Sequence, residues 1–358
     1  MLNDFAEFNM SKKILVTYKP DADEREIYRE FREELTEVYY LKDERKSDRS
    51  KLLKAADIII ALSFAKKEID AAEISLLKSV SFIQLIYAGA DNIPFELIPP
   101  EITLASNVGA FAKPIAEHVL ALTLALAKKL VFKNKLLQEG QFDQSGFNQE
   151  LRGGVCGIIG LGGNGREIAR TMQAMGMRVN GINRSGKTDI PVAFIGTVGD
   201  LQEILHDSDV VVVTTPLTRE TRDMIAGQEL AWMKKDAILI NVGRGDVINQ
   251  KALYAHLKAH PNFRAGIDTW WSEPAGKEAF KLDYPFFELP NIIGSPHIAD
   301  HVPGSMPGAT RRALENVRNF LMGNEIHGIL DRKDYLDKNF SQCSDSFNPR
   351  DRICFMGN

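Results

Sequence analysis

Two groups of residues in this chain have types and spacings suited to chemistry, and both stand where an apolar run ends. The first is Gly160-Leu161-Gly162-Gly163-Asn164-Gly165. It is preceded by the run Val155 to Ile159 and followed by Ile168, Ala169, Met172 and Met175 at helical spacing. Strand, tight turn and helix in that order, with a G-x-G-x-x-G turn, read as a dinucleotide site. Gly160 allows the turn, Gly162 lets backbone approach a pyrophosphate, and Gly165 lets the helix pack closely on the strand. The helix N-terminus then offers free N–H groups and positive dipole to phosphate. The second group is Arg244, Asp268, Glu273 and His297, each of which follows an apolar, strand-like run. If those runs belong to one parallel sheet, a permanent cation, two carboxylates and an imidazole converge on its carboxyl edge beside the dinucleotide.

The end of the second strand should read the adenosine ribose. A carboxylate about 20 residues after the glycines would accept from a 2′-hydroxyl, whereas a 2′-phosphate needs neutral and basic groups. The chain has Asn183-Arg184-Ser185-Gly186-Lys187 there. Arg184 offers a planar donor fork suited to phosphate, so the expected cofactor is NADP(H), with NAD(H) left open.

The elements that would position these residues alternate strand and helix. Strand candidates in the first part are Ser11 to Tyr18, Val38 to Leu41, Ala55 to Leu62 and Phe82 to Ile86. Six more follow: Val155–Ile159, Arg178–Ile182, Val210–Thr214, Ala237–Asn241, Ala265–Ile267 and Ile292–Ile293. Such alternation implies parallel sheets with helices on both faces. Lys113 to Lys129 is expected to be the helix crossing between the two units. Gly308 to Met322 is expected to be the helix carrying the chain back. Trp270 and Trp271 are expected to pack as core below the site, His301 to start a helix or mark a hinge, and Cys156 to be a small buried side chain.

At 358 residues the chain is long for one core, and two domains are expected. With 44% hydrophobic and 26% charged residues and a net charge of −4, nothing calls for nucleic acid or an anionic membrane as partner. Cys156, Cys343 and Cys354 are odd in number and match no metal spacing, so no metal is expected and a reduced, cytoplasmic compartment fits best. Residues 1–10 lack a signal-peptide pattern, and Met10 is an alternative start. The tail from Lys338 to Asn358 shows no hydrophobic periodicity.

From about Lys12 to Leu336 the chain resembles the D-isomer-specific 2-hydroxyacid dehydrogenase family. The glycine motif, Pro216-Leu217-Thr218-x-x-Thr221, Gly243-Arg244-Gly245, Asp268 with Glu273-Pro274, and Ser295-Pro296-His297-Ile298-Ala299 match its motifs in order and spacing. Ala116-Glu117-His118 and Gly89-Ala90-Asp91-Asn92 match in the first half. The resemblance implies a doubly wound dinucleotide-binding domain, 110–299, inserted in a flavodoxin-like α/β substrate domain made of 1–109 plus 300–336. Residues 337–358 remain a tail of unknown role. It further implies a homodimer joined through the cofactor domain.

For the site, the resemblance implies catalysis by Arg244, Glu273 and His297, with the substrate carboxylate held by Arg244 and the backbone of Ala88 and Gly89. The dinucleotide is expected along Gly160, Leu161, Gly162, Gly163, Asn164 and Gly165 and at Asn183, Arg184 and Ser185. It would also meet Thr215, Pro216, Val242, Gly243, Asp268 and His297. The residue types suit reduction of a 2-keto acid: His297 donates the proton, Glu273 keeps it charged, and Arg244 holds the carboxylate and polarises the keto oxygen. Glyoxylate and hydroxypyruvate are the first substrates expected. An NAD-linked D-lactate-type dehydrogenase is the alternative, and a dinucleotide-sensing, corepressor-like binding protein a more distant one. Ala88 stands where the phosphite-oxidising branch has lysine, and Glu273 where formate dehydrogenases have glutamine. Ala110-Phe111-Ala112-Lys113-Pro114 is an unusual run that either lines the pocket or shapes the hinge.

Overall fold

The computed structural model describes residues 11–64, 68–274 and 278–336, and among them the side chains of 32–35 and 46–47 are left out. The expectations for the start at Met1 or Met10, for Cys343 and Cys354, and for the tail 337–358 lie outside the described residues.

The chain first forms β1 (Lys12–Val16), α1 (Ala22–Leu35), β2 (Thr36–Tyr40), α2 (Lys46–Ala55), β3 (Ile58–Ala61), α3 (Ala71–Ile74), β4 (Phe82–Leu85) and β5 (Thr103–Ala105). These strands make a five-stranded parallel sheet in the order β2-β1-β3-β4-β5. Ile58, Ile59, Ile60 and Ala61 are all buried with no alternation, as expected of a strand covered on both faces. Helix α1 begins with a reciprocal capping box between Asp21 and Glu24, which satisfies amides that would otherwise lack partners.

Two helices, α4 (Ala112–Ala127) and α5 (Leu130–Gln138), lead into the second sheet. It contains β6 (Val155–Ile159), α6 (Gly163–Ala174), β7 (Arg178–Ile182), β8 (Phe194–Gly196), α7 (Leu201–Asp207), β9 (Val210–Val213) and α8 (Gly227–Trp232). The chain continues through β10 (Ile238–Asn241), α9 (Gln250–Ala259), β11 (Arg264–Ile267) and β12 (Ile292–Gly294). The seven strands are parallel in the order β12-β11-β10-β9-β6-β7-β8. The chain therefore winds one way from β6 and the other way from β9. The carboxyl ends of these two neighbours part at the switch point, where such sheets bind ligands.

Helix α10 (Ser305–Leu321) returns to the first sheet. It buries Ala309, Ala313, Leu314 and Val317 there, and Phe320 stacks on Phe82 with ring centroids 4.6 Å apart. Its Asn316 donates to Gln84 Oε1 at 2.6 Å, so a buried polar pair also fixes its register.

The architecture is thus two parallel-sheet α/β units, as expected. The second sheet has seven described strands rather than six, because β8 was not anticipated, and β5 was not anticipated in the first. Each has three residues and no motif at its end, whereas β12, equally short, is marked by the Ser295-Pro296-His297 run that follows it. The helix expected over 113–129 stops at Ala127. Lys129 takes a left-handed conformation (φ 53°) and turns the chain into α5. Instead of merely crossing between the units, α4 packs on α6, β10 and β11, burying Val119, Leu122 and Leu126.

Candidate active site

Strand β6 leads straight into the glycine turn. Gly160 has φ +101°, and a side chain at Gly165 would strike Gly160 O, so α6 lies directly against the end of β6. A Cβ on Gly162 would meet nothing within 4 Å. The first turn of α6 has no side-chain cap. Nearby, Thr215 Oγ1 is buried without a hydrogen-bond partner. Open backbone, uncapped helix amides and an orphaned hydroxyl fit the phosphates and ribose of a dinucleotide. Leu161 is buried and donates its amide to Ile182 O at 2.9 Å, tying the turn to β7. Asn183 Nδ2 donates to Leu161 O (3.1 Å) and Lys187 O (2.8 Å), and Ser185 Oγ donates to Asn183 Oδ1 (3.2 Å). Arg184, at the end of the same strand, donates to Asp334 Oδ2 at 2.8 Å. Asp334 was not anticipated at this turn.

The strand ends of both sheets face one cavity of about 380 Å³. Ala88 and Gly89, following β4, line one wall, and Asn164, Val242, Arg244, Asp268, Glu273 and His297 line the other. Arg244 follows β10, with Asn241 Nδ2 donating to its carbonyl at 2.9 Å. Its guanidinium donates from Nε to Asp91 Oδ1 at 2.9 Å and from Nη1 to Gly243 O at 2.8 Å. The remaining nitrogen, Nη2, lies where a Gly89 side chain would project. Gly89 is therefore needed for close approach, and the arginine docks against the loop expected to hold a carboxylate. The carboxyl group of Asp91 counters the Arg244 charge across the two units. The Gly89-Ala90-Asp91-Asn92 run held that signal, but spacing alone did not pair the two residues.

His297 follows β12 with φ 53°, a left-handed conformation rare for a residue with a side chain. Asp268 explains how it is held. Its carbonyl accepts the His297 amide at 2.9 Å, and its carboxylate accepts from Ser295 Oγ (2.6 Å), Ile298 N (3.1 Å) and Ala299 N (3.3 Å). His118 Nε2, from α4, lies 2.8 Å from Ser295 Oγ and 3.5 Å from Asp268 Oδ1. Asp268 is 1% exposed, so its carboxylate acts on the His297 loop as well as lining the cavity. The Ala116-Glu117-His118 run contained the histidine, but its partner lies 177 residues away.

His297 Nδ1 meets Glu273 Oε2 at 2.8 Å, and the other oxygen, Oε1, accepts Trp270 N at 3.0 Å. The Glu273 hydrogen bond is the largest influence on the imidazole and raises its pKa, against burial. For Glu273 the largest single influence is burial, which pushes its pKa upward. Hydrogen bonds from His297 and Trp270, with the His297 and Arg244 charges, outweigh burial and hold it below the ordinary carboxylate range.

Tyr87 and Phe111 stack with centroids 5.4 Å apart and line the cavity with Ala110, so the unusual run before α4 contributes to the pocket. His301 also lines it, with its side chain 64% exposed. Trp270 and Trp271 are buried, as expected; their indole N–H groups donate to Ser295 O and Ile248 O. Cys156 is free and buried, and burial pushes its thiol up to about 12.

The profile of the family described as D-isomer specific 2-hydroxyacid dehydrogenase, NAD binding domain, matches residues 120–299. The chain is 31% identical over 276 residues to the glyoxylate reductase of Pyrococcus furiosus, covering 74% of this chain and 80% of that protein. It is 29% identical over 321 residues to the D-3-phosphoglycerate dehydrogenase of Methanocaldococcus jannaschii. That match covers 89% of this chain but spans 59% of the relative's length. Among solved structures, a D-isomer specific 2-hydroxyacid dehydrogenase family protein from Aeromonas salmonicida subsp. salmonicida A449 matches with a TM-score of 0.74. Its sequence identity is 26%, over 90% of this chain and 99% of that one. The nucleotide cradle, the strand-end cation, carboxylate and imidazole, and these similarities agree, and the chain belongs to the D-isomer-specific 2-hydroxyacid dehydrogenase family, whose NAD(P)-dependent chemistry it shares.

Proposed function

We propose that the chain reduces a small 2-keto acid, with glyoxylate or hydroxypyruvate first, and prefers NADP(H) to NAD(H). The observation carrying this reading is the placement of Arg244 and a Glu273-bonded His297 on one wall of the cavity that also holds Ala88, Gly89 and Asn164. A bound nicotinamide supplies the hydride to the carbonyl carbon. The Nδ1–H of His297 is engaged by Glu273, which leaves Nε2 to carry the proton delivered to the keto oxygen. Glu273 favours the imidazolium that serves as acid. Arg244 holds the substrate carboxylate and polarises the keto oxygen, with the amides of Ala88 and Gly89 assisting. Asp268 keeps the His297 loop in its unfavourable conformation and so fixes where that proton is offered.

The NADP preference rests on Arg184 at the end of β7, where no carboxylate is present in the strand or the turn after it. The small-acid assignment draws on the relatives' names and on a charged, compact cavity. We assign the exposed apolar residues of α5 and the loop after it to contact with a second copy of the chain. Leu130, Val131, Phe132 and Leu137 are all at least 40% exposed, and Phe142 and Phe147 are 80% and 96% exposed. We place the reaction in the cytoplasm on the cysteine count of the sequence, three residues that match no metal spacing.

Initial rates of NADPH and NADH oxidation against glyoxylate, hydroxypyruvate, pyruvate and a bulkier 2-keto acid test the assignment. Turnover of the small acids with NADPH ahead of NADH is expected. Dinucleotide binding without turnover of any acid would remove the catalytic reading of Arg244, Glu273 and His297.

A further inference from the structure

Arg184 stands at the end of β7, but its partner comes from the far end of the described chain. The segment Ile329 to Leu336 is fixed to the first unit by Arg332, which donates to the carbonyls of Ile98 (2.7 Å), Pro99 (2.7 Å) and Ile102 (2.9 Å). Tyr335 stacks on Phe95 with centroids 4.7 Å apart. The other side of the segment lies on the second unit. Arg219 donates its amide to Asp334 O at 3.1 Å and its guanidinium to Lys333 O. With the main chain held on both sides, the Asp334 carboxylate is delivered to Arg184 Nη2 at 2.8 Å and keeps 22% of its exposure, against 66% for Arg184.

We propose that Asp334 is a cofactor-selecting residue, supplying from the C-terminal segment the carboxylate that the end of β7 lacks. It competes with a 2′-phosphate for Arg184 and offers an acceptor to a 2′-hydroxyl. The inference rests on the reading of Arg184 as the residue that meets the 2′-phosphate. A phosphate monoester carries about −1.5 to −2 charges near neutrality, so it must displace Asp334 from the guanidinium or lie against it as a like charge. A 2′-hydroxyl meets neither obstacle and gains a hydrogen-bond acceptor. The ion pair is exposed, so the competition is modest and narrows the NADPH preference without reversing it. The segment's attachment to both units runs through Arg332, Tyr335 and main-chain carbonyls, so replacing the Asp334 carboxylate leaves it in place.

The test is dissociation constants for NADPH and NADH, read by dinucleotide fluorescence without substrate. They are compared for the unaltered protein, Asp334→Asn, Asp334→Ser, Arg184→Ala and the Arg184→Ala/Asp334→Asn double variant. Calorimetry with adenosine 2′,5′-bisphosphate and 5′-AMP isolates the ribose end. Both Asp334 variants are expected to bind NADPH about three- to tenfold more tightly and NADH about two- to fivefold more weakly. In the Arg184→Ala background, Asp334→Asn is expected to give a smaller gain for NADPH, the part due to like charge alone. Asp334 variants that shift both dinucleotides by one factor, or shift neither, would overturn the proposal and make the carboxylate a purely structural contact. If Arg184→Ala left NADPH affinity unchanged, the 2′-phosphate reading would fall, and this inference with it.

Discussion

The catalytic wall and the ribose turn of this protein are both built around an arginine at a strand end, yet they are held in opposite ways. Arg244 is braced at Nε and Nη1, and Gly89 gives up its side chain to admit Nη2. Arg184 is two-thirds exposed and has one carboxylate, delivered by a segment 150 residues later. A half-buried, multiply bonded cation has few alternative positions, so it suits a transition state that needs a fixed charge. An exposed cation with one partner exchanges that partner at little cost, so it suits a choice between similar cofactors.

The largest expected effect breaks the catalytic wall directly. His297→Ala should lower kcat for keto-acid reduction by about 10²–10⁴-fold while leaving dinucleotide affinity within about twofold, measured by steady-state rates and fluorescence titration. A fall in dinucleotide affinity of the same size would mean that the loop, rather than the imidazole, was lost.

Gly89→Ala tests the close approach. The new methyl would occupy the space of Arg244 Nη2, so the guanidinium must move. KM for the keto acid should rise about 10–100-fold with dinucleotide binding retained. An unchanged KM would show that the arginine does not need that seat.

The Glu273–His297 pair sets the pH dependence. The histidine pKa is raised, so the acid needed for reduction persists above pH 6.5, and kcat/KM should fall as pH rises through the raised value. Oxidation of the hydroxy acid, which needs the neutral imidazole, should rise over the same range. Glu273→Gln should move both limbs to lower pH and cost about tenfold in reduction at neutral pH. Linkage gives a matching stability window. The raised histidine contributes fully below about pH 6.5 and loses its contribution as pH rises through its folded value. The lowered glutamate contributes fully above about pH 4.5 and loses its contribution as pH falls through its folded value. Melting temperatures of the unaltered protein and Glu273→Gln should therefore differ most between those limits.

The smallest effect belongs to the ribose turn. Arg184→Ala should weaken NADPH about tenfold and NADH by less than about twofold, read as dissociation constants. Equal losses for both would place Arg184 outside the 2′ position.

The second sheet was legible largely because its strands are apolar runs that end in unusual residues. Val210-Val211-Val212-Val213 and Ile238-Leu239-Ile240-Asn241 carry enough buried aliphatic character to mark themselves. The glycine turn after β6 fixed which strand came first. Parallel strands running from one side to the other necessarily place Arg244, Asp268, Glu273 and His297 on one edge, so their convergence followed from order alone. β5 and β8 escaped because three residues do not make a period and no site motif follows them to mark the strand end, as Ser295-Pro296-His297 does for the equally short β12.

The sequence by itself determined the fold class, the nucleotide turn and the residue types at the site, because each is written in local apolar runs and in the spacing of glycines such as Gly160 and Gly165, where a side chain would collide. Tertiary structure alone decided the pairings. Asp91 meets Arg244 across 153 residues, His118 meets Ser295 across 177, and Asp334 meets Arg184 across 150. A charge in a sequence declares its sign but not its partner. Which opposite charge lies within hydrogen-bond reach depends on how two sheets, a bridging helix and a returning chain pack, and that packing is governed by the whole buried surface rather than by the charged residues.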